Sequence, residues 1–130
     1  MSTFPLKIVT PKGIYLQKDV ELLNLRTTAG QIGILAHHLP LASGIEISEM
    51  DFVVGGERTK FAIAGGFVYV GNTETTIIAN SIESQEEIDV RRANEAKQRA
   101  QKRLEMHDGD MLRAEIALKK AINRIHVKGM

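Results

Sequence analysis

The chain changes character at one point, and that change constrains its fold more than any other feature. Up to Glu83 the residues are apolar, rich in Val and Ile, and broken by glycines. From Ser84, in "SQEEIDVRRA", Ala, Glu, Lys and Arg take over, and almost nothing large remains to bury. A run of strand signals followed by a run of helix signals predicts an α+β chain. Its parts are an N-terminal antiparallel β domain, residues 1–83, and a C-terminal antiparallel two-helix hairpin, residues 84–130.

In the first part, turn residues arrive at short intervals. They are Pro11–Lys12–Gly13, Gly30, Gly44, Gly55–Gly56, Gly65–Gly66 and Gly71–Asn72. Short strands punctuated in this way predict a sandwich or a barrel. In "KFAIAGGFVYVGN" two alternating runs meet at Gly65–Gly66, where glycine supplies the positive φ of a tight turn. Leu22, Leu23, Leu25, Ile32, Ile34, Leu35, Leu39 and Leu41 are the expected centre. Aromatic residues are only 5% of the chain, so that core is mainly aliphatic.

In the second part, Ser84-Gln85-Glu86-Glu87 is a capping box, which predicts a helix from Ser84 to about Met106. "HDGD", His107 to Asp110, predicts a turn with Asp110 as the next cap, and a second helix runs to about Val127. The facing stripes are Val90, Ala93, Ala96, Ala100 and Leu104, and Met111, Ala114, Leu118, Ala121 and Ile125. So many alanines bury little area, at roughly 25 cal/mol per Å². One reading is a solvated hairpin resting on a sheet. The other is an element whose weak attachment lets it detach.

The chain has 130 residues, a net charge of +1 and no Cys. Disulfides and thiolate metal sites are excluded. A nucleic-acid partner is disfavoured by the charge and the few aromatics. No segment approaches the ~20 apolar residues of a membrane span, and "MSTFPLKIVTPKG" has no signal-peptide core. These features predict a protein of the cell interior, unless a partner holds it at a membrane. "GGERTK" lacks the spacing of a phosphate-binding loop. His37 and His38 are expected on opposite faces of a strand, so no metal site is expected. Nothing argues for catalysis.

Several motifs then occur in a telling order. The chain opens with "LKIVTPKG" and continues with "GQIGILAHHLPL", "AGGFVYV", "TTIIANSIE" and "IDVRRA". Together they closely resemble the epsilon subunit of bacterial F-type ATP synthase over essentially the whole length. Three positions depart from the family pattern: Ala36 and His37 replace its usual Pro-Gly, and Gln31 replaces a common acid. The resemblance implies a sandwich of about ten strands and a non-catalytic rotor part. That part lies in the central stalk of a proton-translocating synthase, at the cytoplasmic face of the bacterial cell membrane as a peripheral protein. The sandwich would grip the γ subunit and the c-ring, with Gln31 and His38 as c-ring contacts.

"IDVRRA" resembles the nucleotide-binding pattern of some members, "I/L-D-x-x-R-A". By that resemblance Ile88 contacts adenine, Asp89 and Glu83 recognise its polar edge, Arg92 meets phosphate and Ala93 leaves room. Arg99, Lys120 and Arg124 complete the ATP site when the hairpin is closed. Arg suits phosphate because its planar fork donates two bonds at once. Without ligand, Asp89 and Arg92 are expected to pair on one helix face. No cofactor is required, and the regulatory ligand is ATP, which Mg2+ can accompany. In an opened hairpin Lys119, Lys120 and Arg124 would meet the catalytic β and α subunits and inhibit hydrolysis. The competing reading is a free-standing β-sandwich that senses nucleotide.

Overall fold

The computed structural model describes residues 2–129. Eight strands form first: β1 (Phe4–Thr10), β2 (Gly13–Val20), β3 (Leu22–Thr27), β4 (Gly30–Leu35), β5 (Leu41–Val54), β6 (Glu57–Val70), β7 (Thr75–Ala79) and β8 (Ile82–Ser84). Two helices follow, α1 (Val90–Glu105) and α2 (Met111–Lys128). The strands run β2-β1-β7-β6-β5-β3-β4, and β8 also pairs with β6. Neighbours are antiparallel except β1 and β7, which pair in parallel from Leu6↔Thr75 to Val9↔Ile78.

Eight strands suffice where about ten are implied because β5 and β6 each run for 14 residues. Both β7 and β8 pair with β6 in one register, Gly66↔Ala79 in the first and Ile63↔Ile82 in the second. The sheet creases there and folds back as a sandwich. Gly65–Gly66 is therefore a crease within β6 and not the expected turn, and Gly44 likewise lies inside β5. Gly66 has φ +143°, and a β-carbon there would stand 2.0 Å from the Ile78 carbonyl oxygen. Glycine is required so that two backbones can meet.

Strand alternation sends Leu6, Ile8, Leu23, Leu25, Ile63 and Ile77 fully inside. Phe52 and Phe61 join them, with ring centroids 5.2 Å apart. Ile34 is buried as expected, while Ile32 and Leu41 are half-buried against the core. Leu35 and Leu39 correct the sequence expectation, since they are 55% and 79% exposed. Leu35 points away from its buried neighbour Ile34, and Leu39 lies in the loop beyond β4.

The Ser84 capping box does form. The Glu87 N–H donates to Ser84 Oγ at 3.2 Å, and the Ser84 N–H donates to Glu87 Oε1 at 2.9 Å. It closes a single turn, however, and does not start the helix at Ser84. Asp89, extended at φ −93° and ψ 105°, interrupts the chain and itself caps α1. Asp110 caps α2 as expected, and Gly129 ends it in the left-handed region at φ 82°. Ala93, Ala100, Ala114 and Ala121 are buried along the stripes. Helix α2 docks on β5 and β6, and α1 packs mainly against α2.

Candidate functional site

The seam between hairpin and sheet encloses a cavity of about 270 Å³. Ile47, Ala62 and Ile63 supply its sheet wall, Ala96 and Ala117 its helical wall, and Glu83, Lys120 and Arg124 its charge. Glu83 ends β8 at the base of the hairpin, while Lys120 and Arg124 sit one turn apart on α2. The Arg124 Nε stands 2.6 Å from Glu83 Oε1, and its Nη2 donates to Glu83 Oε2 at 3.3 Å. The Nε itself makes no properly directed hydrogen bond. The pair spans the seam with three-quarters of the Arg124 side chain covered.

The other residues singled out in the sequence divide into two sets. Arg92 and Arg99 flank Ala96 at spacings of four and three, on the helix face that lines the cavity. Both are exposed, and among the described residues neither forms an ion pair, nor do Lys119 and Lys120. Asp89 does not pair with the Arg92 side chain as expected. As N-cap, its Oδ1 accepts the Arg92 backbone N–H at 3.2 Å. Ala93 is fully buried, and Ile88, 3% exposed, is packed against Ala62 and Val127. The cavity thus gathers Glu83, Lys120 and Arg124 and excludes Ile88, while Arg92 and Arg99 lie outside its lining, one turn to either side of Ala96 on α1.

At another surface, Gln31 is exposed on β4 opposite Arg26. His37 and His38 are not in a strand as expected. They occupy the turn after β4, where His37 has φ 67° and the His38 Nδ1 lies 2.6 Å from the Leu39 carbonyl oxygen. Two features escaped the sequence reading. One is an apolar patch in which Phe67 and Tyr69 stack at 6.5 Å beside Ile78 on the neighbouring strand. All three are about half exposed. Their signal was present in "FVYV", whose aromatics alternate with the buried valines. The other is a set of polar bonds at the hairpin root, where the Tyr15 hydroxyl donates to Glu87 Oε1. Burial first, and then the Glu87 carboxylate, push the Tyr15 hydroxyl up to about 12, and the Tyr15 hydrogen bond holds the Glu87 carboxyl below its ordinary range.

Comparison with known proteins fits this architecture. Residues 3–85 match the model of the ATP synthase delta/epsilon chain β-sandwich domain, and residues 86–129 match that of its long α-helix domain. The ATP synthase epsilon chain of Bacillus cytotoxicus is 42% identical over 132 residues, covering 100% of this chain and 99% of that one. The epsilon chain of Desulfitobacterium hafniense strain Y51 is 44% identical over 125 residues, covering 95% of each. A chain in the Euglena gracilis mitochondrial ATP synthase superposes with a TM-score of 0.80 at 23% identity, covering 95% of this chain and 79% of that one. A chain of the Tetrahymena thermophila mitochondrial ATP synthase central stalk and c-ring gives 0.64 at 15% identity, with 98% and 94% covered. With two family models spanning nearly its whole length and full-length relatives above 40% identity, the chain belongs to the ATP synthase delta/epsilon chain family.

Proposed function

We propose that this non-catalytic chain joins the c-ring to the γ subunit in the central stalk of a proton-translocating synthase, and that its hairpin, when drawn open in the assembled enzyme, brakes ATP hydrolysis, while ATP favours its closed form. The observation that carries the proposal is the seam. Helix α2 rests on the sheet over a cavity whose charge comes from Glu83, Lys120 and Arg124. The helices meet through alanines, so opening exposes little apolar surface. Arg92, Arg99 and Lys120 are cations without ion-pair partners among the described residues; Lys120 lines the cavity, and the two arginines flank its Ala96 on α1. A triphosphate would neutralise them and displace Glu83 from Arg124, through charge-assisted hydrogen bonds. Glu83 and Asp89 would then be left to face the base. Adenine would meet Ile88 only at the edge left by Val127, which covers that side chain.

Phe67, Tyr69 and Ile78 offer γ an apolar face, and the turn at Gln31–His38 offers polar contacts to c-ring loops. The chain would sit peripherally on the cytoplasmic face of the bacterial membrane. No helix among the described residues is long and apolar enough to cross it. Once open, Lys119, Lys120 and Arg124 would reach the catalytic β and α subunits. Calorimetry of the isolated protein with ATP tests the nucleotide step. We expect saturable binding that Arg92→Ala weakens by about 1.5–3 kcal/mol. No heat of binding at millimolar ATP would remove ATP from the account.

A further inference from the structure

The last turn of α2 returns to the point where the hairpin leaves the sandwich. The carbonyls that end a helix have no partner within it. In α2 the Gly129 N–H takes those of Ile125 and His126. The next one, Val127 O, accepts a bond of 2.8 Å from Gln85 Nε2, 42 residues earlier in the chain. In return the Lys128 ammonium donates to the Gln85 carbonyl at 2.9 Å and to the Glu86 carbonyl at 3.5 Å. A cation here also suits the negative end of the α2 dipole. Between these bonds the Val127 side chain, 1% exposed, closes over Ile88 and Ala62. The chain therefore seals its own hinge with its far end, through reciprocal polar bonds around an apolar plug.

The position of this contact gives it leverage. Helix α1 packs mainly on α2 and makes little contact with the sheet, so α1 stays down only while α2 does. Among the described residues α2 is otherwise tied to the sandwich by two polar links, Asn123 Nδ2 to the Ser48 carbonyl at 2.8 Å and Arg124 to Glu83. The second of these is the one a nucleotide would disturb. The polar bonds of the terminal contact involve no residue of the cavity lining and no cation assigned to phosphate, and only its Val127 plug meets that lining, at Ala62.

We propose that Gln85, Val127 and Lys128 form a clasp that holds the hairpin shut without nucleotide, and that its release is the first step of opening. The proposal rests on the reading that the hairpin moves. Loss of the last turn of α2 then has the opposite effect to loss of the whole hairpin, because the brake is freed and not removed. Any partner that draws the α2 terminus away from Gln85 acts as an opener.

The chain has no Cys, so spin labels can be placed at Thr73→Cys on the sandwich and Asp108→Cys in the interhelical turn. Pulsed electron spin resonance of the full chain without nucleotide then reads the distance between them. The wild type is expected to show one short population. Gln85→Ala with Lys128→Ala is expected to move a large fraction to longer distances, by an amount set by α1, whose 16 residues span ~24 Å. Lys128→Arg, which keeps the donor, should restore the short population. Glu83→Ala, which breaks the α2 ion pair, serves as the second arm. If it lengthens the distance while the clasp variant does not, the clasp is overturned and the moving hairpin stands. If neither lengthens it, both are overturned.

Discussion

A β-carbon at Gly66 would stand 2.0 Å from the Ile78 carbonyl oxygen, and the residue lies at φ +143°. Neither the clash nor the dihedral can be relieved by a side-chain rotation, because the obstacle is backbone. Gly66→Ala is expected to cost on the order of 3 kcal/mol, read as a lower denaturant midpoint. His37 is the converse case. It holds φ 67° in an exposed turn. A left-handed conformation costs a non-glycine residue roughly 1–2 kcal/mol. His37→Gly should therefore stabilise the fold by about 0.5–1 kcal/mol after the loss from a more flexible unfolded chain, read as a higher midpoint. Both glycines of the 65–66 pair were legible as punctuation, but not as a crease. Sequence shows that glycine is needed, and only the register of β6 against β7 and β8 shows what it must avoid.

The hairpin root is where local and tertiary signals diverged. Ser84 to Glu87 carries a sound capping box, and its two reciprocal bonds form. Yet the helix it announced begins only at Val90, because burying Ile88 under Val127 needs an extended Asp89 between turn and helix. The alanine stripes, the Asp110 cap and the Gly109 break were legible because each is local. Leu35 and Leu39 were misplaced because an apolar letter does not reveal which face of a strand, or which side of a loop, it occupies. The Tyr15–Glu87 bond joins residues 72 apart and had no sequence signal. Its pH dependence follows from the two shifts. Glu87 is lowered, so its contribution is full above its ordinary value of 4.5 and lost as pH falls through the lowered one. Tyr15 is raised to about 12, so its contribution is full below pH 10.0 and lost as pH rises through about 12. The difference in denaturant midpoint between the wild type and Tyr15→Phe should therefore shrink at both extremes. That substitution should cost on the order of 1 kcal/mol at neutral pH. A difference that stays constant as pH rises from 10.0 to about 12 would count against the bond.

At the scale of the whole molecule, the main core is built from residues 4–82, and the hairpin adds only a small cluster at Ile88 and Val127. The β domain is therefore expected to fold without its tail. A chain ending after Glu83 should melt cooperatively as a β protein and still bind γ through Phe67, Tyr69 and Ile78. The hairpin's helices, of 16 and 18 residues, would reach about 50 Å end to end if extended. ATP at 100 times its dissociation constant adds about 2.7 kcal/mol to the closed state. A change from 1:99 to 99:1 needs about 5.5 kcal/mol, so ATP biases the brake without governing it alone. The direct test is ATP hydrolysis by the assembled synthase at low ATP, with residues 84–130 present or removed. The account predicts a faster rate on removal with assembly intact, and an unchanged rate would contradict it.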